Sequence, residues 1–165
     1  MDRLKDHGAT RNMVSTAFVL GTTSTYTTTV TSECVIDGVF GTTLGAQTNT
    51  ASPTTDAKTG AAFVALGDNQ ATVLVWGITL AGAIALCQGS IEDTEVGVTT
   101  TAGAFLKAPQ FPQLPDDFCP IAYNLVRTAP SASAFTPGTS SWTATGITAS
   151  VAKNLHVLPA RPRIV

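Results

Sequence analysis

Small or apolar residues alternate with polar ones along several short runs of this 165-residue chain. In the run from Tyr26 to Ile36, one set of alternate positions is apolar or small, and the other set is mainly hydroxylated. Successive side chains of a β-strand point to opposite faces, so a period of two is typical of a half-buried strand. The pattern predicts one long strand over 26–36, ended by a tight turn at Asp37-Gly38.

Apolar runs without this alternation predict further strands. Thr72 to Thr79 is apolar on both faces, which is typical of a central strand covered on both sides. No window of ten or more residues free of Gly and Pro has the apolar spacing of an amphipathic helix. We therefore predict an all-β fold, a sandwich or jelly-roll-like domain of roughly eight to ten short strands. The other predicted strands are Val14–Leu20, Val39–Phe40, Ala61–Leu66, Ala83–Ile91, Ile121–Val126, Trp142–Val151 and Asn154–Leu158.

Several segments lack a strand pattern. Residues 1–13 are polar and unpatterned, which predicts a flexible, extended N-terminal arm, with 14–165 as a single β-rich domain. The stretch from Gly45 to Gly60 has no apolar anchor and predicts a long exposed loop. Four prolines between Phe105 and Pro120 predict an extended surface segment. The acidic residues at 92, 93 and 95 predict a solvated turn.

Charge is scarce: 12% of the residues are charged, while the chain has 28 threonines. Free monomers usually keep more surface charge for solubility, so we expect an interface with other subunits to cover part of this surface. The net charge is −2 and the basic residues are scattered, whereas nucleic-acid binding needs a clustered basic patch. We therefore expect protein partners and no nucleic-acid partner.

The segment from Asn69 to Ile91 is 23 residues long and uncharged, close to the length of a transmembrane helix. It nevertheless contains several glycines and polar residues, and Gly82 near its middle favours two strands joined by a reversal. The first apolar run, Ala17 to Leu20, is too short for the core of a signal peptide. We expect no membrane partner.

The three cysteines, Cys34, Cys87 and Cys119, are odd in number, form no C-x-x-C pair and lie among apolar neighbours. These features favour buried free thiols over a disulfide framework or a metal site. Free thiols are consistent with assembly in a reducing cytosol.

Residues that could carry chemistry do not form a recognisable constellation. A zinc site needs converging ligands, but His7 and His156 lie at opposite ends of the chain. The adjacent pair Asp116-Asp117 would point in opposite directions in an extended chain, and the G-x-S-x-G motif of hydrolases is absent. We predict no catalytic, cofactor-binding or metal-binding residues, and no enzymatic activity.

The two tryptophans have different predicted roles. Trp76 lies in the apolar run and is predicted to be in the core. Trp142 lies in a Thr/Ser-rich stretch, where packing or an inter-subunit contact is favoured over a platform for stacking on a sugar.

Four longer stretches together resemble small virion proteins of tailed bacteriophages. They are SPTTDAKTGAAFVALGDNQ (Ser52 to Gln70), ATVLVWGITLAGAIALCQGSI (Ala71 to Ile91), GAFLKAPQFPQLPDDFCPIAYNLVR (Gly103 to Arg127) and SSWTATGIT (Ser140 to Thr148). Structural proteins encoded near phage capsid genes carry similar strings in the same order. The resemblance starts at Ser52 and covers about two-thirds of the chain. Its motifs are packing patterns, so no site residue carries over.

The resemblance implies a capsid decoration (cement) protein: a homotrimer in the virion, seated outside the head on the major capsid protein and assembled in the host cytoplasm. We expect the arm before Val14 and the Gly45–Gly60 loop to contact the capsid. The alternatives are another virion subunit (tail tube, tail tip or head fibre) and, from a different class, a glycan-binding adhesin.

Overall fold

A computed structural model describes residues 10–163 of the chain. Within this range all regular structure is β-strand, and no helix occurs. The predicted all-β fold is confirmed, and its stacked antiparallel sheets are those of a β-sandwich. The strands are β1 (Arg11–Asn12), β2 (Phe18–Leu20), β3 (Thr25–Thr28), β4 (Ser32–Ile36), β5 (Val39–Leu44), β6 (Gln47–Ala51), β7 (Gln70–Thr79), β8 (Ile84–Gln88), β9 (Glu92–Asp93), β10 (Phe118–Thr128), β11 (Ile147–Ala149) and β12 (Lys153–Asn154).

The strands form one large sheet and two small ones. The large sheet has the order β11-β10-β7-β8, with β12 also paired to β10 and β9 also paired to β7. The small sheets have the orders β1-β4-β5 and β2-β3-β6. Every pair is antiparallel, which suits the short connections between consecutive strands.

The long strands β7 and β10 form the centre of the molecule, and apolar residues cover both faces of β7. On one face, Trp76 and its alternate neighbours join a core shared with the two small sheets. On the other face, Val73 and Val75 pack with Tyr123 beneath residues of the proline-rich segment such as Leu114. The prediction that Thr72–Thr79 is a central strand with two covered faces is therefore confirmed.

A close approach between β7 and β10 requires a glycine. A Cβ atom added to Gly77 would lie 2.3 Å from the Phe118 ring and 2.6 Å from the carbonyl oxygen of Cys119. Pro120 pairs with Gly77 where the register shifts. Proline is tolerated inside a strand at such an irregularity because a ladder hydrogen bond is already missing there. The predicted extended segment therefore ends before Phe118, and β10 includes Pro120.

The single strand predicted over 26–36 is wrong, because the chain changes sheets within it. β3 pairs with β2 and β6, whereas β4 pairs with β1 and β5. The alternation continues across the break, with Tyr26 and Thr28 buried in β3 and Cys34 and Ile36 buried in β4. Only Val30, which lies in the connection, leaves the pattern and is exposed.

Other boundaries also need correction. The predicted loop 45–60 contains β6, which pairs with β3 through its backbone although its side chains are polar. Ala61–Leu66 forms no strand; it makes only isolated bridges, and Val64 is exposed. In the stretch predicted as Trp142–Val151, only Ile147–Ala149 is a strand.

At the N-terminal end, Arg11–Asn12 forms β1 and Asn12 is buried, so the part of the predicted arm from Thr10 onward belongs to the domain. Residues 1–9 of that predicted arm lie outside the described residues. The acidic residues Glu92 and Asp93, predicted as a turn, pair with the start of β7 as the short strand β9.

Candidate interaction surface

Residues considered for chemistry have structural roles. The His156 ring nitrogen Nδ1 lies 3.0 Å from the carbonyl oxygen of Asn12, and the His156 carbonyl accepts the Asn12 amide at 2.9 Å. These contacts attach the C-terminal segment to β1. His7 lies outside the described residues. Over residues 10–163, no group of three His, Cys, Asp or Glu side chains is arranged to hold a metal ion.

Asp56 organises the loop that follows β6. Its Oδ1 accepts the backbone N–H of Lys58 at 3.0 Å, and the N–H and hydroxyl of Thr59 at 2.9 and 3.1 Å. Its Oδ2 accepts the N–H of Gln88 on β8 at 2.7 Å. The carboxylate is buried and engaged on both oxygens, so it connects the loop to the large sheet.

Trp142 belongs to the core. Its side chain is 3% exposed, and its ring centroid lies 5.9 Å from Trp76 and 5.4 Å from Phe135. The indole Nε1–H donates to the carbonyl oxygen of Thr25 at 3.1 Å. The packing interpretation of Trp142 is confirmed, and a sugar has no access to its ring. Trp76 is fully buried, as predicted.

All three cysteines are free and buried, as predicted. A hydrogen bond from Cys119 lowers the pKa of the Cys34 thiol, although burial opposes this effect. The same contact, together with burial, raises the pKa of Cys119. Burial, aided by the negative charge of Asp56, raises the pKa of Cys87 to about 12.

The surface is poor in charge and rich in exposed apolar side chains. Between residues 10 and 163, one ion pair joins two side chains, Lys107 Nζ and Glu92 Oε2, which are 3.9 Å apart. Scattered apolar residues on a protein surface are ordinary, so their grouping on particular elements is what matters. The exposed ones are Met13, Val14, Val19, Val30, Val39, Phe40, Val64, Leu80, Val96, Val98, Leu106, Val151 and Val157.

One group lies on β5, an outer strand of its sheet. Asp37 and Gly38 both have positive φ, which confirms the predicted tight turn before β5. Gly41 is then the extra residue opposite the Cys34–Val35 step, with a φ of 107°. A bulge of this kind re-aims the neighbouring side chains. Phe40 is 67% exposed as a result, whereas Thr42 is buried.

The turn between β7 and β8 lies beside β5. A Cβ atom added to Gly82 would be 2.8 Å from the carbonyl oxygen of Thr43, so the two elements touch there. This turn carries the exposed Leu80. We call the exposed pair Val39 and Phe40 the β5 patch.

A second group projects on the 94–105 loop. Its base is held by Arg127, whose guanidinium donates to the carbonyl oxygen of Gly103 at 2.7 Å and lies 5.6 Å from the centre of the Phe105 ring. Its tip is closed by two hydrogen bonds between Val98 and Thr101. Val96 and Val98 are 80% and 75% exposed, so a fixed base presents an apolar tip to solvent.

A groove of about 490 Å³ lies between the proline-rich segment and the C-terminal segment. Leu114, Phe118 and Val157 give it an apolar lining, with Lys58 and Asp116 as its charged members. Lys58 Nζ donates to the carbonyl oxygen of Leu114 at 3.3 Å, so the ammonium group lies against the side of the groove formed by Leu114. An apolar concavity of this kind suits a largely apolar ligand better than a strongly charged one.

No known protein family, curated protein or solved structure was found to match this chain. Between residues 10 and 163 there is no helix with the length and hydrophobicity needed to cross a membrane. The uncharged stretch 69–91 instead forms β7 and β8, as the two-strand interpretation predicted.

The exposed side of β5 was not predicted from the sequence, whose pattern predicted a strand at Val39–Phe40 without indicating which of its faces is exposed. The signal was present: Gly41 follows two adjacent apolar residues directly after an Asp-Gly turn, a position where a bulge interrupts the period of two.

Proposed function

We propose that this protein is a phage head decoration (cement) protein that binds the capsid lattice from outside as a homotrimer and stabilises it. The observation that carries the proposal is the β5 patch, an apolar group on an uncharged outer strand. Monomeric proteins usually protect such strands with charged residues, prolines or bulges; β5 has the Gly41 bulge but no charged residue, and its Val39 and Phe40 side chains are exposed. The resemblance to small virion proteins, which starts at Ser52 and covers about two-thirds of the chain, suggests the partner, the major capsid protein.

Stabilisation would follow from linkage. A protein that binds the expanded shell and not the disassembled subunits stabilises the shell by RT ln(1 + [L]/Kd) at each site. Many equivalent sites on one shell multiply this effect. No bond is made or broken, which is consistent with a surface that offers apolar contacts and hydroxyl groups.

The proposal is tested by adding purified protein to undecorated, expanded heads assembled from the major capsid protein of the same virus. Phe40→Lys places a charge on the β5 patch, and Val64→Lys places the same charge on a comparably exposed apolar residue outside it. We expect wild type and Val64→Lys to saturate the heads and Phe40→Lys to lose most of its occupancy.

Sedimentation of the free protein accompanies the binding assay. Three chains per particle are expected for wild type, whereas six chains in a ring would indicate a tail-tube subunit. A wild-type protein that does not bind the heads refutes the decoration proposal. Equal binding and equal mass for Phe40→Lys and wild type would show that the β5 patch is not an interface.

A further inference from the structure

Two of the three cysteines lie together between different sheets. Cys34 is on β4 of a small sheet, and Cys119 is on β10 of the large sheet. Both are fully buried in the same core cluster, and each thiol is the neighbour that most strongly shifts the pKa of the other. The Cys34 sulfur also lies 3.9 Å from Oδ1 of Asn12.

Independently of the thiols, β4 and β10 contact each other, with Cα atoms of the two strands within 8 Å. Hydrogen bonds also connect them indirectly, through β1 and the C-terminal segment. The side-chain nitrogen of Asn12, which pairs with Cys34 across β1 and β4, donates to the carbonyl of Leu155 at 3.1 Å. The Leu155 amide donates to the carbonyl of Ile121 on β10 at 2.8 Å. This chain of contacts connects Cys34 to the part of β10 that carries Cys119.

Cys87 provides an internal comparison. It is also fully buried, but it lies in the core cluster on the opposite face of the large sheet. The charged groups that act on it are Asp56 and Lys58, and no second thiol is among them. Burial alone therefore does not distinguish the three thiols, whereas pairing does.

We propose that Cys34 and Cys119 are a latent disulfide site, which a peroxide oxidant closes into a covalent link between the two sheets while Cys87 remains a thiol. In a reducing compartment the pair stays as two thiols. The inference concerns the chain's own chemistry and does not depend on the proposed function.

The reaction starts at Cys34, because the hydrogen bond from Cys119 favours the Cys34 thiolate. The Cys34 sulfur attacks one peroxide oxygen, the O–O bond breaks, and Cys34 becomes a sulfenic acid as the first water leaves. The Cys119 sulfur then attacks the Cys34 sulfur and displaces hydroxide, which takes the Cys119 proton and leaves as the second water. Two thiols lose two electrons in total, and one hydrogen peroxide is reduced to two waters.

The link would join residues that are far apart in sequence and in different layers of the sandwich. A crosslink that closes a long loop restricts the unfolded chain, so the oxidised protein should unfold at a higher temperature than the reduced one. Since neither sulfur is exposed, only a small oxidant can reach the pair without unfolding.

The first experiment treats reduced, full-length protein with hydrogen peroxide under native conditions. Remaining thiols are then alkylated in denaturant, and the peptides are identified by mass spectrometry. We expect a peptide pair joined through Cys34 and Cys119, with Cys87 alkylated. Cys87→Ala should keep the link and Cys34→Ala should lose it. Cys119→Ser keeps a hydroxyl donor beside Cys34 but removes the second sulfur, so it should stop at a Cys34 sulfenic acid, which dimedone traps.

In the second experiment the urea-unfolded protein is refolded in a glutathione redox buffer, so that burial of the thiols no longer limits the oxidant. Three single disulfides are possible among the three cysteines, and the Cys34–Cys119 disulfide should dominate. The protein that contains it should have a higher melting temperature than the reduced protein. A link formed only on refolding still supports the site and shows that burial limits the oxidant. A dominant pairing that includes Cys87, or no intramolecular disulfide in either experiment, overturns the proposal.

Discussion

The contact between β7 and β10 leads to a sharp prediction for Gly77→Ala. The added methyl group would lie 2.3 Å from two ring carbons of Phe118 and 2.6 Å from the carbonyl oxygen of Cys119, whereas ordinary contacts are 3.4–4 Å. The Phe118 ring is itself buried, so it cannot move into solvent. The carbonyl belongs to the backbone of β10 and can shift only if the pairing of the two central strands is distorted.

The magnitude follows from these distances. Overpacking a core by one methylene-sized group costs about 1–3 kcal/mol when side chains can adjust. Here one of the two clashing neighbours is backbone, so we expect Gly77→Ala to lower the free energy of unfolding by about 3 kcal/mol or more. That is a large part of the roughly 5–15 kcal/mol typical of a folded domain.

Gly45→Ala is the matched control. A Cβ atom at Gly45 would meet nothing within 4 Å, and its φ is not positive, so the same substitution should change stability by less than about 0.5 kcal/mol. Phe118→Leu, which removes the two nearest ring carbons, should reduce the cost of Gly77→Ala by about 1 kcal/mol, leaving the backbone clash.

Unfolding in urea is monitored by tryptophan fluorescence, which reports on the environment of the buried Trp76 and Trp142. Equal urea midpoints for the alanine variants at 77 and 45 would refute the argument from close approach. A Gly77→Ala cost that does not change in the Phe118→Leu background would assign the whole effect to the backbone contact.

Three further predictions concern buried polar groups. Asp56→Ala removes the acceptor of the Gln88 amide and of three loop hydrogen bonds, so the free energy of unfolding, measured in urea, should fall by about 2–4 kcal/mol. A decrease below about 1 kcal/mol would show that the loop does not depend on this carboxylate. Trp76→Phe removes the Nε1–H that Asn124 Oδ1 accepts at 2.8 Å, so the free energy of unfolding, measured by thermal unfolding, should fall by at least about 2 kcal/mol. The same substitution should cost less in an Asn124→Ala background, because the acceptor is already absent there. The pKa of Cys87 is raised by burial from its usual 9.0 to about 12, so its stabilising contribution is complete below about pH 9 and is lost as the pH rises towards 12. Cys87→Ala should therefore flatten the decline of stability over that range, and an unchanged pH profile would contradict the assignment.

The period of two predicted buried faces better than it predicted strand boundaries. From Tyr26 to Ile36 the buried positions follow the alternation on both sides of the break, because both strands face the same core. The change of sheet at residues 29–31 has no such signal, since it lies in a Thr-rich stretch continuous in composition with the strands. Which strands pair is decided by contacts distant in sequence, and one chain's local pattern does not contain them.

The two loop errors have a similar cause. Gln47–Ala51 was predicted as loop because it lacks apolar anchors, yet a strand needs only backbone partners, and β3 provides them. Ala61–Leu66 was predicted as a strand because it is apolar, yet it makes only single bridges at Ala62 and Leu66 and a side-chain contact from Gln88 to Val64, so no ladder forms. The contact between Cys34 and Cys119 likewise depends on sheet packing, so the sequence predicted their burial but not their pairing.

The outer strands β5 and β6 connect composition to the proposed assembly. They are consecutive in the chain, but each is the last strand of a different small sheet among residues 10–163. Neither contains a charged residue; β5 exposes Val39 and Phe40, and β6 exposes mainly polar, uncharged side chains. Outer strands without charged residues or prolines are prone to pair with other chains. In β5 the Gly41 bulge and the neighbouring β7–β8 turn protect part of the strand, but Val39 and Phe40 remain exposed. Both outer strands therefore offer uncharged edges to a neighbouring subunit, and this is the physical reason to test them first as interfaces.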